Sequence, residues 1–353
     1  MKKTYVLLIT VFIGITLLLS ACVPGPRVTG SPGITLSGDM VFVSYSNFVY
    51  GLDAATGSME WAYPDEADNQ VVFYAPPLVT DEFVYVGDLA NEFHKLEKES
   101  GKLVWTYPDA SSYYIGQAAE ANGVIYVPCN DGALYALDDQ DGKFLWKFET
   151  GHYIWAQPQI TEDAIFVSSM DHFVYAISKD GDELWSQELA GAVVSTPLLS
   201  EDGSTLFVGS LGAQMVALDT SNGEIIWTFD SAESVWGNAI LIENALYFAD
   251  SAGNIYVLDA EKGEQLWKIE LGSPIVGGLT GIEGGFTLAT EDGVMKAFDT
   301  EGTPLWESTP GGEIIQAPAV NEEFVIVGSI NGDNLLYGFN LSGVQIWSTT
   351  PEN

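Results

Sequence analysis

The 353 residues carry 49 Asp and Glu against 12 Lys and Arg, a formal net charge of −37, and the one arginine is Arg27. Phosphate backbones are held by clustered Lys and Arg, so this balance excludes nucleic-acid binding and sets the surface against anionic lipid headgroups. Forty-three aromatic residues (17 Phe, 16 Tyr and 10 Trp) and 37 Gly suit a large core with many tight turns.

Residues 1–21 read as a signal peptide. Lys2 and Lys3 form its positive end, Tyr5 to Leu19 its apolar run, and Leu19-Ser20-Ala21-Cys22 its small-residue cleavage region. A cysteine just after that region resembles a bacterial lipobox, so Cys22 is expected to be the lipidated first residue of the mature chain. Residues 22–29, rich in Pro and Gly, read as a short tether. Cleavage would remove two lysines, leaving 10 basic side chains against 49 acidic ones. Cys129 is the only other cysteine, so no disulfide framework is expected.

From residue 30 onward the chain repeats itself. Trp recurs at 61, 105, 146, 185, 227, 267, 306 and 347, with gaps of 39 to 44 residues. Each has Gly four positions before it: Gly57, Gly101, Gly142, Gly181, Gly223, Gly263, Gly302 and Gly343. In Ala217-Leu218-Asp219-Thr220-Ser221-Asn222-Gly223-Glu224-Ile225-Ile226-Trp227 a strand leads into a turn, and a second strand carries the Trp. The Asp side chain caps the turn and Gly supplies its positive φ. Helical periodicity is absent after residue 22. A period near 40 in an all-β pattern predicts an eight-bladed β-propeller of four-stranded antiparallel blades over residues 30–353.

The expected blades are 30–64, 65–108, 109–149, 150–188, 189–230, 231–270, 271–309 and 310–350. Blade 5 shows the four strands as 194–199, 205–209, 214–219 and 224–229. Apolar second strands such as Val84-Tyr85-Val86 and Leu206-Phe207-Val208 suit burial between neighbouring blades. The pattern runs from an innermost strand in blade 1 to an outermost strand in blade 8, so closure is expected by direct packing of blade 8 on blade 1. The turn residue varies: Glu97 replaces Asp in blade 2, and blades 4, 7 and 8 use a shorter turn at Ser178, Asp299 and Asn340.

The pattern Ala-x-Asp-x-x-x-Gly-x-x-x-Trp, clearest at Ala217/Asp219/Gly223/Trp227 and Ala136/Asp138/Gly142/Trp146, resembles the tryptophan-docking motif of PQQ-type eight-bladed propellers. Larger members of that family are quinoprotein dehydrogenases that hold PQQ and Ca²⁺ on the propeller axis. Adjacent cysteines and long insertions, used by those enzymes, are missing here. Length, lipobox and repeat are similar to the BamB-like lipoprotein branch. The resemblance implies a noncatalytic, membrane-anchored scaffold without a cofactor, binding protein partners in the cell envelope. The alternative is an extracytoplasmic propeller that binds a sugar, a quinone or another small ligand.

The eight motif Trp residues are expected to be structural, each ring packed between blades. Trp155 and Trp236 lie outside the motif. Aligned on the innermost strand, the equivalent positions are Tyr74, Ile115, Trp155, Val194, Trp236, Val276 and Ile315. Two residues later come Pro76, Gln117, Gln157, Thr196, Asn238, Gly278 and Ala317. These residues either fill the narrow axis or make a binding face from Trp155, Trp236, Tyr74, Gln117, Gln157 and Asn238. His152, His172 beside Asp171, and Cys129 bring metal-ligand chemistry to one face, but they are scattered, and no metal site is expected. Asp139-Gln140-Asp141-Gly142 is a blade turn without the later ligands of a calcium loop. No catalytic acid–base pair or nucleophile motif is evident.

Overall fold

From residue 30 onward, runs of β-branched and aromatic residues punctuated by Gly, Asp and Asn favour strand over helix. In the computed structural model, which describes residues 30–68 and 70–352, every regular element is a strand. Among the described residues, 32 strands form eight four-stranded sheets, each built from four consecutive strands. The expected leader, Cys22 and the tether lie outside the described residues.

Within each blade all neighbours pair antiparallel, as in blade 5: Leu198–Leu199, Thr205–Ser210, Gln214–Asp219 and Ile225–Asp230. The second and third strands are the most buried. The innermost strand is shorter than the sequence suggests, because residues 194–197 join no ladder. Its length follows the turn after it. In blades 2, 4, 5 and 8, Thr80, Thr161, Ser200 and Asn321 accept a hydrogen bond from a backbone N–H three to five residues on, which ends the strand after two residues. Tight hairpins in the other four blades allow three to five.

The core is divided among the interfaces between blades. One cluster joins Phe166, Val174 and Trp185 of blade 4 to Leu206, Val208 and Leu218 of blade 5. Another joins Val41, Val43 and Leu52 of blade 1 to Ile326, Leu336 and Trp347 of blade 8. The ring therefore closes as expected, by direct packing of blade 8 on blade 1 with no strand shared between them. Trp347 Nε1 donates to Ala54 O at 2.9 Å and Asn321 Nδ2 to Gly38 O at 3.0 Å across the seam.

Two kinds of loop share each face. Loops linking successive blades lie against the loops between second and third strands, shown by Asn130 N–H to Tyr113 O and Met170 N–H to Tyr153 O. On the opposite face the first and last turns of each blade meet, as in Thr220 N–H to Ser204 O.

Candidate functional site: the propeller axis and the blade-linking loops

The repeat motif proves to be a joint between neighbours. Trp227 Nε1 donates to Ala260 O of the next blade at 3.0 Å, and Trp61, Trp105, Trp146, Trp185, Trp306 and Trp347 make the same bond at 2.9–3.0 Å. Each of those rings lies on the motif glycine of the following blade. A Cβ on Gly223 would sit 2.5 Å from the Trp185 ring, and Gly223 has φ +74°. A β-bulge in every third-to-fourth strand pair coincides with the motif. Trp267 departs from the pattern. It pairs with β-branched Val257 where four of the other blades have Ala and two have Gly. Thr300 O, the equivalent acceptor, is taken instead by the Tyr247 hydroxyl at 3.2 Å.

The innermost segments surround an axial cavity of about 370 Å³. Of the first aligned series, Ile115, Trp155, Val194, Trp236, Val276 and Ile315 line it; of the second, Pro76, Gln117, Gln157, Thr196, Asn238 and Ala317 do so. Tyr74 does not. Its ring packs against Gly30, where a Cβ would meet it at 2.2 Å. Ile34 of blade 1 completes the ring.

The amides stitch the inner segments together. Gln117 Nε2 donates to Pro77 O at 2.9 Å, Gln157 Nε2 to Ala118 O at 3.0 Å, and Asn238 Oδ1 accepts from Thr196 N–H at 3.0 Å. These bonds link blades where the ladder has given out, so the amides have a structural duty at the axis. No titratable side chain is among the cavity-lining residues. A Ca²⁺ site with PQQ needs carboxylate oxygens, and this lining does not fit one.

The blade-linking loops carry further aromatic side chains. Tyr113, Tyr153 and Trp236 are exposed. Trp155 stacks on Tyr153 at 6.4 Å between centroids, and its Nε1 donates to Asn130 Oδ1 at 3.0 Å. The sequence picks out the two tryptophans; the tyrosines were missed because single exposed aromatics carry no period.

The scattered metal-ligand types do not converge. His152 and His172 are exposed, and Asp171 is occupied by Gly151 N–H, Phe173 N–H and the Tyr175 hydroxyl. Cys129 is buried, its thiol directed at Ser112 O at 3.3 Å. Burial pushes that thiol up to about 12, so it stays protonated. Among the described residues a different set does converge: ligand atoms of Asp88, Glu92 and His94 lie within 4.8 Å of one another. Sequence reading passed over His94. Its signal was positional, since Tyr50, Tyr135, Tyr175, Tyr256 and Tyr337 occupy the same place in five other blades.

A family model described as outer membrane protein assembly factor BamB matches residues 20–152, 112–197, 171–270 and 251–353. Outer membrane protein assembly factor BamB of Nitrosomonas eutropha is 34% identical over 110 residues, covering 31% of this chain and 26% of that protein. Quinoprotein ethanol dehydrogenase of Pseudomonas aeruginosa is 32% identical over 239 residues, covering 58% of this chain and 34% of the enzyme. The chain spans less than half the length of each of these relatives. Among solved structures, BamB from Moraxella catarrhalis superposes with a TM-score of 0.76 at 16% identity, covering 87% of this chain and 96% of that one. A europium-containing methanol dehydrogenase gives 0.70 at 15% identity, with 85% and 83% covered. These structural likenesses establish the fold alone, which an assembly factor and an enzyme share.

Proposed function

The chain belongs to the family of outer membrane protein assembly factor BamB, and from that premise we propose that it is a noncatalytic propeller that binds other proteins at the cell envelope. One observation carries the reading. Tyr113, Tyr153 and Trp236 stand exposed on the blade-linking face, with Trp155 stacked beneath Tyr153. Rigid, half-exposed aromatics are the side chains that dominate binding energy at protein interfaces. The absence of titratable groups from the cavity lining supports a binding role over catalysis at the axis.

In this reading residues 1–21 are removed and Cys22 carries the lipid that tethers the propeller to the outer face of a bacterial membrane. That membrane is the outer one where the organism has two. The acyl chains supply the membrane attachment, because a surface this acidic is repelled by anionic headgroups.

Mass spectrometry of what co-purifies with the lipidated protein from detergent-solubilised membranes tests the proposal. Stoichiometric recovery of a β-barrel assembly subunit is expected. Trp236→Ala combined with Tyr153→Ala should release it, each substitution costing about 2 kcal/mol of binding. Recovery of the propeller alone would count against the scaffold. The alternative of a sugar or another small ligand would then lead, favoured by a Trp-lined cavity of about 370 Å³, a size typical of ligand sites.

A further inference from the structure

We propose that Asp88, Glu92 and His94 form a binding site for a divalent first-row transition metal such as zinc at the top of blade 2. The argument comes from comparing two blades of the same chain. In blade 6 the matching positions are Asp250, Asn254 and Tyr256. There Asn254 Nδ2 donates to both carboxylate oxygens of Asp250 at 2.8 and 3.0 Å, and the Tyr256 hydroxyl donates to Asp250 Oδ2 at 3.0 Å. That set needs nothing further, because one carboxylate meets two neutral donors.

Blade 2 keeps the backbone of this loop and changes its chemistry. Asp88 Oδ1 accepts from Ala90 N–H and Glu92 N–H at 2.9 and 2.8 Å, as Asp250 Oδ1 does from Ala252 and Asn254. The amide donor has become the Glu92 carboxylate and the phenol has become the His94 imidazole. Asp88 and His94 are both buried. Two carboxylates therefore face one another at a largely buried site, with the imidazole Nε2 at 3.3 Å from Asp88 Oδ2. The like charges repel unless a cation lies among them, and imidazole with carboxylate oxygens is a donor set that suits zinc.

The surroundings favour metal over a bare ion pair. Thr106 Oγ1 lies 3.0 Å from His94 Nδ1 and can accept its proton's hydrogen bond, turning the Nε2 lone pair toward the carboxylates. Such a partner on the far ring nitrogen is the usual support of a metal-ligating histidine. Tyr63 of blade 1 brings its hydroxyl to 3.5 Å from the same Nδ1, and with Phe73 its ring walls the site. The intermediate exposure of Glu92 gives the ion its entry. Bound metal would clamp the loop at residues 88–92 to the third strand of blade 2, beside the junction with blade 1.

The test is isothermal titration of the metal-stripped protein with zinc chloride. The comparison is the double variant Glu92→Asn, His94→Tyr, which installs the blade 6 arrangement. The wild type is expected to show one tight site, and the variant to lose it while melting no lower than metal-free wild type. Thr106→Val should weaken zinc about 10- to 100-fold while sparing the ligands. Absence of a tight site, or equal affinity in wild type and double variant, would overturn the assignment; equal affinity would place the zinc on the acidic surface instead.

Discussion

Trp227 shows how much one side chain of the motif must do. Its ring packs on Phe207 in the cluster that joins blade 5 to Leu246 and Leu258 of blade 6, its Nε1 satisfies Ala260 O, and the Cβ-less Gly263 lies beneath it. Trp227→Ala removes all of this at a site hemmed in by backbone that cannot collapse. A loss of about 3–5 kcal/mol is expected in urea unfolding. Trp267→Ala should cost roughly 1 kcal/mol less, since Trp267 lacks the cross-blade bond. Equal losses would mean that the hydrogen bond contributes nothing, and unchanged stability for Trp227→Ala would refute docking. The glycine has a double role that spacing alone hides. It reads as the turn residue of its own blade, yet the close approach that forbids a Cβ comes from the Trp of the blade before.

Among the elements, the strands and turns were legible where chemistry is local. Asp219 caps its turn through Ser221 N–H at 2.8 Å, and the shorter turns at Ser178, Asp299 and Asn340 are capped by the same kind of oxygen. The innermost strands were less legible, because residues 194–197 look β-like in sequence but join no ladder near the axis. Lys95 is a further case. It occupies the slot opposite Trp105 that holds Ala136 and Ala217 in other blades, and it is buried. Its Nζ reaches Asp139 Oδ1 at 2.8 Å in blade 3, with the Phe83 ring centroid at 3.7 Å and the Tyr85 hydroxyl on the same carboxylate oxygen. Asp139→Asn removes the counter-charge of the buried ammonium and leaves it neutral acceptors such as Asp139 O at 2.9 Å, so it should cost about 2–3 kcal/mol, below the range for fully buried pairs because Asp139 is partly exposed. Lys95→Ala removes the charge with its stem and restores the residue of other blades, so it should cost less. Chemical denaturation of the two variants checks the order; the reverse order would make Lys95 a packing residue.

For the whole molecule, closure and charge pull against each other. Blade 8 is held to blade 1 by a cluster of aliphatic and aromatic side chains and by two hydrogen bonds, from Trp347 Nε1 and Asn321 Nδ2. The net charge of −37 pushes every blade apart. Screening shortens to about 10 Å at 0.1 M salt, so added sodium chloride should relieve that repulsion and raise the melting temperature by several degrees between low salt and about 0.5 M. A flat or falling curve would mean that the surface carboxylates are too dispersed to strain the ring.

The sequence by itself determined the all-β class, the blade number, the strand polarity and the structural tryptophans. Those properties rest on local turn chemistry repeated eight times, and a repeat survives in one dimension. It also marked Trp155, Trp236, Gln117, Gln157 and Asn238 as axial, because alignment of repeats converts position in the chain into position around a ring. Only the tertiary structure decided which glycine serves which tryptophan, where the inner strands stop, and that Tyr74 leaves the cavity. The same is true of His94, which meets two carboxylates where another blade has a neutral set. Each of these is a contact between segments distant in the chain or a contest for space at the axis, and neither leaves a period in the sequence.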